Sequence, residues 1–156
     1  MAGGLNSAVN PPPAANDIGF AVARYTPAGS ADKTFGTGGA AITDLGSANP
    51  LSAALALQSN GDIVAAGIAG QPQGTGQFPP NPTSFALVRY TAAGVLDSTF
   101  GVGGIVITPI TVGTNSWFSA VTVQTDGKIV AAGTVGYRGQ KGFTSEGGYV
   151  LRYLGQ

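Results

Sequence analysis

Phe20-Ala21-Val22-Ala23-Arg24-Tyr25-Thr26 and Phe85-Ala86-Leu87-Val88-Arg89-Tyr90-Thr91 are one phrase written twice, 65 residues apart counted from Phe20 to Phe85. The likeness continues downstream: Asp32, Thr34-Phe35-Gly36, Gly38-Gly39 and Ile42-Thr43 return as Asp97, Thr99-Phe100-Gly101, Gly103-Gly104 and Ile107-Thr108. Self-similarity at a long fixed period marks a repeat architecture, in which each unit buries its apolar face only by stacking on a neighbour. Residues 17–156 therefore read as one repeat domain, with unit 1 at about 18–84, unit 2 at about 85–148 and a closing strand at 149–154. Residues 1–16, ending in Pro11-Pro12-Pro13, carry no periodic apolar pattern and read as an extended or flexible N-terminal arm.

Outward from the repeated phrase lie two matching hairpins. Ala53-Ala54-Leu55-Ala56-Leu57-Gln58 reaches Asn60-Gly61 and returns as Ile63-Val64-Ala65-Ala66-Gly67; Ala120-Val121-Thr122-Val123-Gln124 reaches Asp126-Gly127 and returns as Ile129-Val130-Ala131-Ala132-Gly133. Asn-Gly and Asp-Gly are the residues a two-residue type I′ turn requires, so that turn is expected at both places. Each return strand is apolar on both faces and should be buried on both. No segment holds a 3.6-residue apolar period long enough for a helix, and short strands separated by turn residues argue an all-β chain.

In order, a unit is a hairpin, an insertion, a strand ending in Arg-Tyr, a Thr-Phe-Gly-x-Gly-Gly loop and an outer strand. Four antiparallel strands repeated in this way are the blade of a β-propeller. Gln124-Thr125-Asp126-Gly127-Lys128-Ile129-Val130-Ala131-Ala132-Gly133, the Phe85–Tyr90 strand and the loop Leu96-Asp97-Ser98-Thr99-Phe100-Gly101-Val102-Gly103-Gly104 closely resemble the delta-60 repeat family of bacterial propeller-like repeats. That resemblance covers nearly all of Ile18 to Tyr153; it implies blades like those of NHL proteins and no general enzymatic activity.

Cut in blade order, the one complete blade is about Leu51 to Ile110. Residues 117 to 154 supply the first three strands of another, and residues 18 to 44 supply an Arg-Tyr strand and an outer strand. About two blades per chain is fewer than the four to eight of a typical closed propeller, so a lone molecule should be incomplete. Copies of the chain are the expected cover, as a closed ring or as a filament with strand donation.

Composition narrows the function. Seven basic and seven acidic residues make up 9% of the chain, too few to build the basic surface that nucleic acid binding needs. Cysteine and histidine are both absent, which removes thiol chemistry, the commonest general base and the commonest transition-metal ligands. No calcium-loop, phosphate-loop or dinucleotide pattern is present, and no metal or cofactor is expected. The N-terminus shows no signal peptide pattern, and no stretch is long enough for an apolar membrane span. Abundant Gly, Ala, Thr, Ser and Asn with few charges suits an extracellular protein or a particle surface.

Arg24, Arg89 and Arg152 recur, with Asp32 and Asp97 eight residues after the first two. A residue demanded by every unit belongs to the unit's own fold, so these are expected to be structural charge pairs, and Phe35 and Phe100 core plugs between blades. No catalytic residue is assigned. The insertions at about 69–84 and 134–148 occupy the same point of each repeat, where loops emerge on one face. Phe78, Tyr137, Arg138, Lys141 and Phe143 in them, and Trp117 at the start of a strand, are the candidate contact residues. The expected role is a structural, self-assembling, non-enzymatic subunit of a homo-oligomer, such as an extracellular filament or a virion surface component. Other structural proteins and surface glycans are further candidate partners, and the alternative is a carbohydrate-binding, lectin-like module built as an oligomeric propeller.

Overall fold

A computed structural model of the protein describes residues 19–45, 51–69, 84–109, 115–139 and 142–155. Among the described residues every regular element is a strand: β1 (Phe20–Ala23), β2 (Ala40–Thr43), β3 (Leu51–Leu57), β4 (Ile63–Ala69), β5 (Ser84–Tyr90), β6 (Ile105–Thr108), β7 (Asn115–Val123), β8 (Ile129–Gly139) and β9 (Gly142–Tyr153). They form three antiparallel sheets, β1-β2, β3-β4-β5-β6 and β7-β8-β9, each a simple meander. The four-stranded sheet is a whole blade. β1 and β2 correspond to its last two strands, β5 and β6, and β7 to β9 correspond to its first three. The fold is all-β, open and propeller-like.

Side-chain alternation decides how the sheets stack. On β4, Ile63, Ala65 and Ala69 point one way and Val64 and Ala66 the other; on β5, Ala86, Val88 and Tyr90 oppose Phe85 and Leu87. The first face shares a core with Phe20, Val22, Phe35 and Ala41 of the N-terminal sheet. The second shares one with Phe118, Ile129, Ala131 and Val135 of the C-terminal sheet. The central sheet is thus buried on both sides, as its two-sided apolar strands require. Phe85 and Phe118 stack across the second interface with ring centroids 4.3 Å apart and an interplanar angle of 19°. The same irregularity interrupts both first strands, between Ser52 and Ala54 in β3 and between Phe118 and Ala120 in β7.

Two expectations are corrected. The hairpin turns are not two-residue type I′ turns. Gly61 N donates to Gln58 O at 2.9 Å and Gln58 N to Asp62 O at 2.8 Å; Gly127 and Gln124 repeat this at 2.9 Å, with Gln124 N bonded to Lys128 O at 2.8 Å. The central turn residues are therefore Ser59-Asn60 and Thr125-Asp126, followed by a glycine at φ 89° or 82°. This is the three-residue loop in which glycine takes the left-handed bulge position. Asn60 and Asp126 support it with side-chain oxygens that accept from Asp62 N at 3.1 Å and Lys128 N at 3.2 Å. The second correction concerns the insertion at 134–148, which is not a loop: β8 and β9 stay paired as far as Gly139 and Gly142. Its glycines and β-branched residues continue the ladder, and a register shift between Val135 and Gly136 absorbs the irregularity.

Candidate assembly faces

The Arg-Tyr strand and the loop after it form one unit built twice. Arg24 N donates to Gly39 O at 3.0 Å and Asp32 N to Arg24 O at 2.9 Å, which folds the loop against the strand; Arg89, Gly104 and Asp97 do the same at 2.9 and 2.9 Å. The side chains then lock. Arg24 Nε donates to Asp32 Oδ2 at 2.9 Å and Nη2 to Thr34 Oγ1 at 3.0 Å; for Arg89, Asp97 and Thr99 the distances are 2.7 and 3.1 Å. The other carboxylate oxygen accepts from the threonine backbone N–H at 3.0 Å in both copies. The guanidinium groups lie 4.8 Å from the ring centroid of Phe35 and 4.7 Å from that of Phe100. Asp32 and Asp97 are held below the usual carboxylate range, first by the threonine hydroxyl and N–H and then by the arginine. Both oxygens of each carboxylate are engaged within the cluster. The arrangement braces a loop.

The brace also ties sheet to sheet. Arg24 Nη1 donates to Ala92 O at 2.7 Å and Gly36 N to Ala93 O at 2.8 Å, so the N-terminal loop is bonded to the β5-β6 turn of the central sheet. Gly94 in that turn has φ 78°, and a Cβ there would lie 2.7 Å from Gly36 N and 2.8 Å from the Phe35 ring. Tyrosine makes the other link. Tyr90 donates to Thr43 Oγ1 at 2.8 Å, and one sheet further on Tyr153 and Thr108 share a hydrogen bond of 2.9 Å. Burial pushes both phenols above their ordinary value of 10.0. Sequence reasoning assigned no role to these tyrosines and threonines, although Thr43 and Thr108 recur with the repeat.

Because each sheet meets the next in the same way, equivalent positions can be compared, and four of them disagree. Tyr90 is 1% exposed but Tyr25 is 56% exposed. The Arg89 and Asp97 side chains are 5% and 13% exposed, while those of Arg24 and Asp32 are 38% and 25%. Val123, at the end of β7, packs against the second core, whereas Leu57, its counterpart at the end of β3, is 64% exposed. Arg24 and Tyr25 directly follow β1, and among the described residues only β2 pairs with that strand. At the opposite end of the stack the outward face of the C-terminal sheet carries Val150, 72% exposed, directly opposite Ala132. Those residues correspond to Leu87 and Ala66, which on the central sheet are fully buried. The exposed positions at the two ends are thus ones whose counterparts are covered where the molecule's own sheets meet.

The sequence-derived contact residues are placed elsewhere or not at all. Phe78 and Lys141 lie outside the described residues. The backbones of Trp117, Tyr137, Arg138 and Phe143 lie on β7, β8, β8 and β9, with Arg138 opposite Phe143 near the tip of the long hairpin; their side chains are likewise outside the described residues. Arg152 is exposed on β9, opposite Val130. Phe35 is fully buried and Phe100 is 3% exposed, one in each interface core. Among the described residues no group of three or more His, Cys, Asp or Glu is placed to hold a metal ion, and no helix is long and apolar enough to cross a membrane.

A four-stranded antiparallel meander stacked face to face between partial copies of itself, through a repeated loop, defines a β-propeller type of repeat protein. In agreement, residues 80–100 match the family described as "Domain of unknown function (DUF5122) beta-propeller". The matched segment contains β5, the turn at Gly94 and the braced loop as far as Phe100, which are the parts that recur in the chain. No curated protein matches the chain.

Proposed function

We propose that this protein is a structural, self-assembling subunit whose working surfaces are the two ends of its sheet stack. The observation that carries the reading is the paired exposure of equivalent positions: Tyr25 and Leu57 at one end and Val150 at the other are open where their counterparts are covered. Contacts of this head-to-tail kind close into a ring or run on as a filament, depending on the rotation between copies. A repeat of the delta-60 kind, with a non-catalytic role in an extracellular filament or on a particle surface, is part of the proposal. It is supported by low charge, by the absence of histidine and cysteine, and by loop clusters whose carboxylates are engaged by their own arginine and threonine.

Sedimentation equilibrium over a wide concentration range, with electron micrographs of the same samples, tests the reading. The expected result is a folded species whose mass rises above the 15.4 kDa of one chain and forms ordered rings or polymers. A folded species that stays at the single-chain mass across the range refutes it.

A further inference from the structure

We infer that copies of this chain join by seating the outward face of one copy's C-terminal sheet over Leu57 of the next, with β9 of the first lying alongside the free inner edge of β1 of the second. This rests on the assembly reading and fixes its geometry. The occupant is a second copy because the chain itself carries the face that the site lacks. Over the end of β7, next to Val121 and Val123, the central sheet supplies Val64, Ala66 and Leu87. Their counterparts on the C-terminal sheet are Val130, Ala132 and Val150, and those of Val121 and Val123 on β3 are Leu55 and Leu57; Val22 of β1 already holds the place of Leu87, so with β9 beside β1 it is Val150 that falls in the place of the missing second strand, over Leu57. The copy that provides the face cannot cover its own Leu57, since its C-terminal sheet is already packed on the other side of the central sheet.

The direction of the seam follows from the same equivalence. β9 and β1 are both copies of the third strand of a blade. When two such sheets are set edge to edge with their corresponding faces on the same side and the same strand order, those two strands run the same way. The junction is therefore a parallel pair inside otherwise antiparallel sheets, and it gives partners to two edges that are unpaired among the described residues. It also brings a neighbouring strand beside Arg24 and Tyr25, two of the repeat residues whose exposure departs from that of their counterparts.

The chain has no cysteine, so single thiols can be placed without background. Leu57→Cys and Val150→Cys chains are prepared separately, mixed, and treated with a short bismaleimide that bridges the roughly 10 Å between packed sheets. The expected result is a cross-linked dimer from the mixture, with at least fivefold less from either chain alone. Dimer from either chain alone at the yield of the mixture indicates a two-fold contact and overturns the inference. Growth in mass without a mixed cross-link overturns the seam while leaving assembly standing, and a protein that stays monomeric overturns both. Leu57→Lys is the second variant: it should abolish growth in mass while leaving the urea midpoint of the dilute monomer unchanged. Undiminished assembly of Leu57→Lys overturns the inference.

Discussion

Phe118→Ala removes the ring that joins the central and C-terminal sheets, and its cost follows from burial. Phe118 is 1% exposed and stacks on Phe85 at 4.3 Å. A phenylalanine side chain buries about 150–250 Å², which at about 25 cal/mol per Å² corresponds to roughly 4–6 kcal/mol. Residual burial in the unfolded chain removes about 10–40% of that. The lost stacking adds about 0.5–1.5 kcal/mol, and the sum agrees with the roughly 3–5 kcal/mol typical of phenylalanine truncations in cores. We expect a loss of about 4 kcal/mol in urea unfolding with an unchanged slope. For a domain of this size that is a fall in melting temperature of about 8–16 °C. Phe118→Leu, which keeps most of the volume, should lose less than half as much. If Phe118→Ala costs under about 1.5 kcal/mol, the far smaller figure expected for a ring outside a packed core, the second interface is not a packed core and the stacking order of the sheets is wrong.

Truncating the two equivalent arginines should give unequal losses: Arg89→Ala leaves the largely buried Asp97 carboxylate without its cation and should cost about 3 kcal/mol. Arg24→Ala, in a pair that water screens, should cost clearly less at concentrations where the protein is monomeric, and equal losses in denaturant titrations there would contradict the exposure difference. Gly94→Ala combines a positive φ with a Cβ driven into Gly36 N and the Phe35 ring, and should cost at least about 2 kcal/mol. Gly29→Ala at the matching turn, where a Cβ meets nothing within 4 Å, should cost only the backbone strain of about 1–2 kcal/mol. Tyr90 is held neutral by burial, so its folded pKa lies above the unfolded value near 10.0. Its contribution is complete below pH 10 and is lost as the pH rises from there through the folded value; an alkaline unfolding curve that Tyr90→Phe leaves unmoved would contradict this.

Much of the architecture was legible in the residues. Repetition of Phe20–Thr26 at Phe85–Thr91, and of one hairpin in the other, was enough to place the strands and the braced loop, because a repeat must satisfy the same local bonds wherever it occurs. The hairpin turns were less legible: Asn-Gly and Asp-Gly fit both a two-residue and a three-residue loop, and only the cross-strand register separates Gln58–Asp62 from a tighter closure. The hairpin at 134–148 reads as a loop in the sequence because glycine-rich strands lack the alternation by which strands are recognised. The candidate surface lay furthest from the sequence. Tyr25 and Tyr90, Arg24 and Arg89, and Leu57 and Val123 occupy matching positions, and nothing local distinguishes the covered member of each pair.

What the sequence determined alone is the unit: its strands, the Arg-Asp-Thr-Phe brace and the apolar character of both faces of β4, all set by interactions within a few tens of residues. What only the tertiary structure decided is which copies of that unit are covered and which are bare. Burial depends on the neighbour a sheet finds in space, and sheets stacked in a row leave two opposite faces at the ends, whatever residues those faces carry.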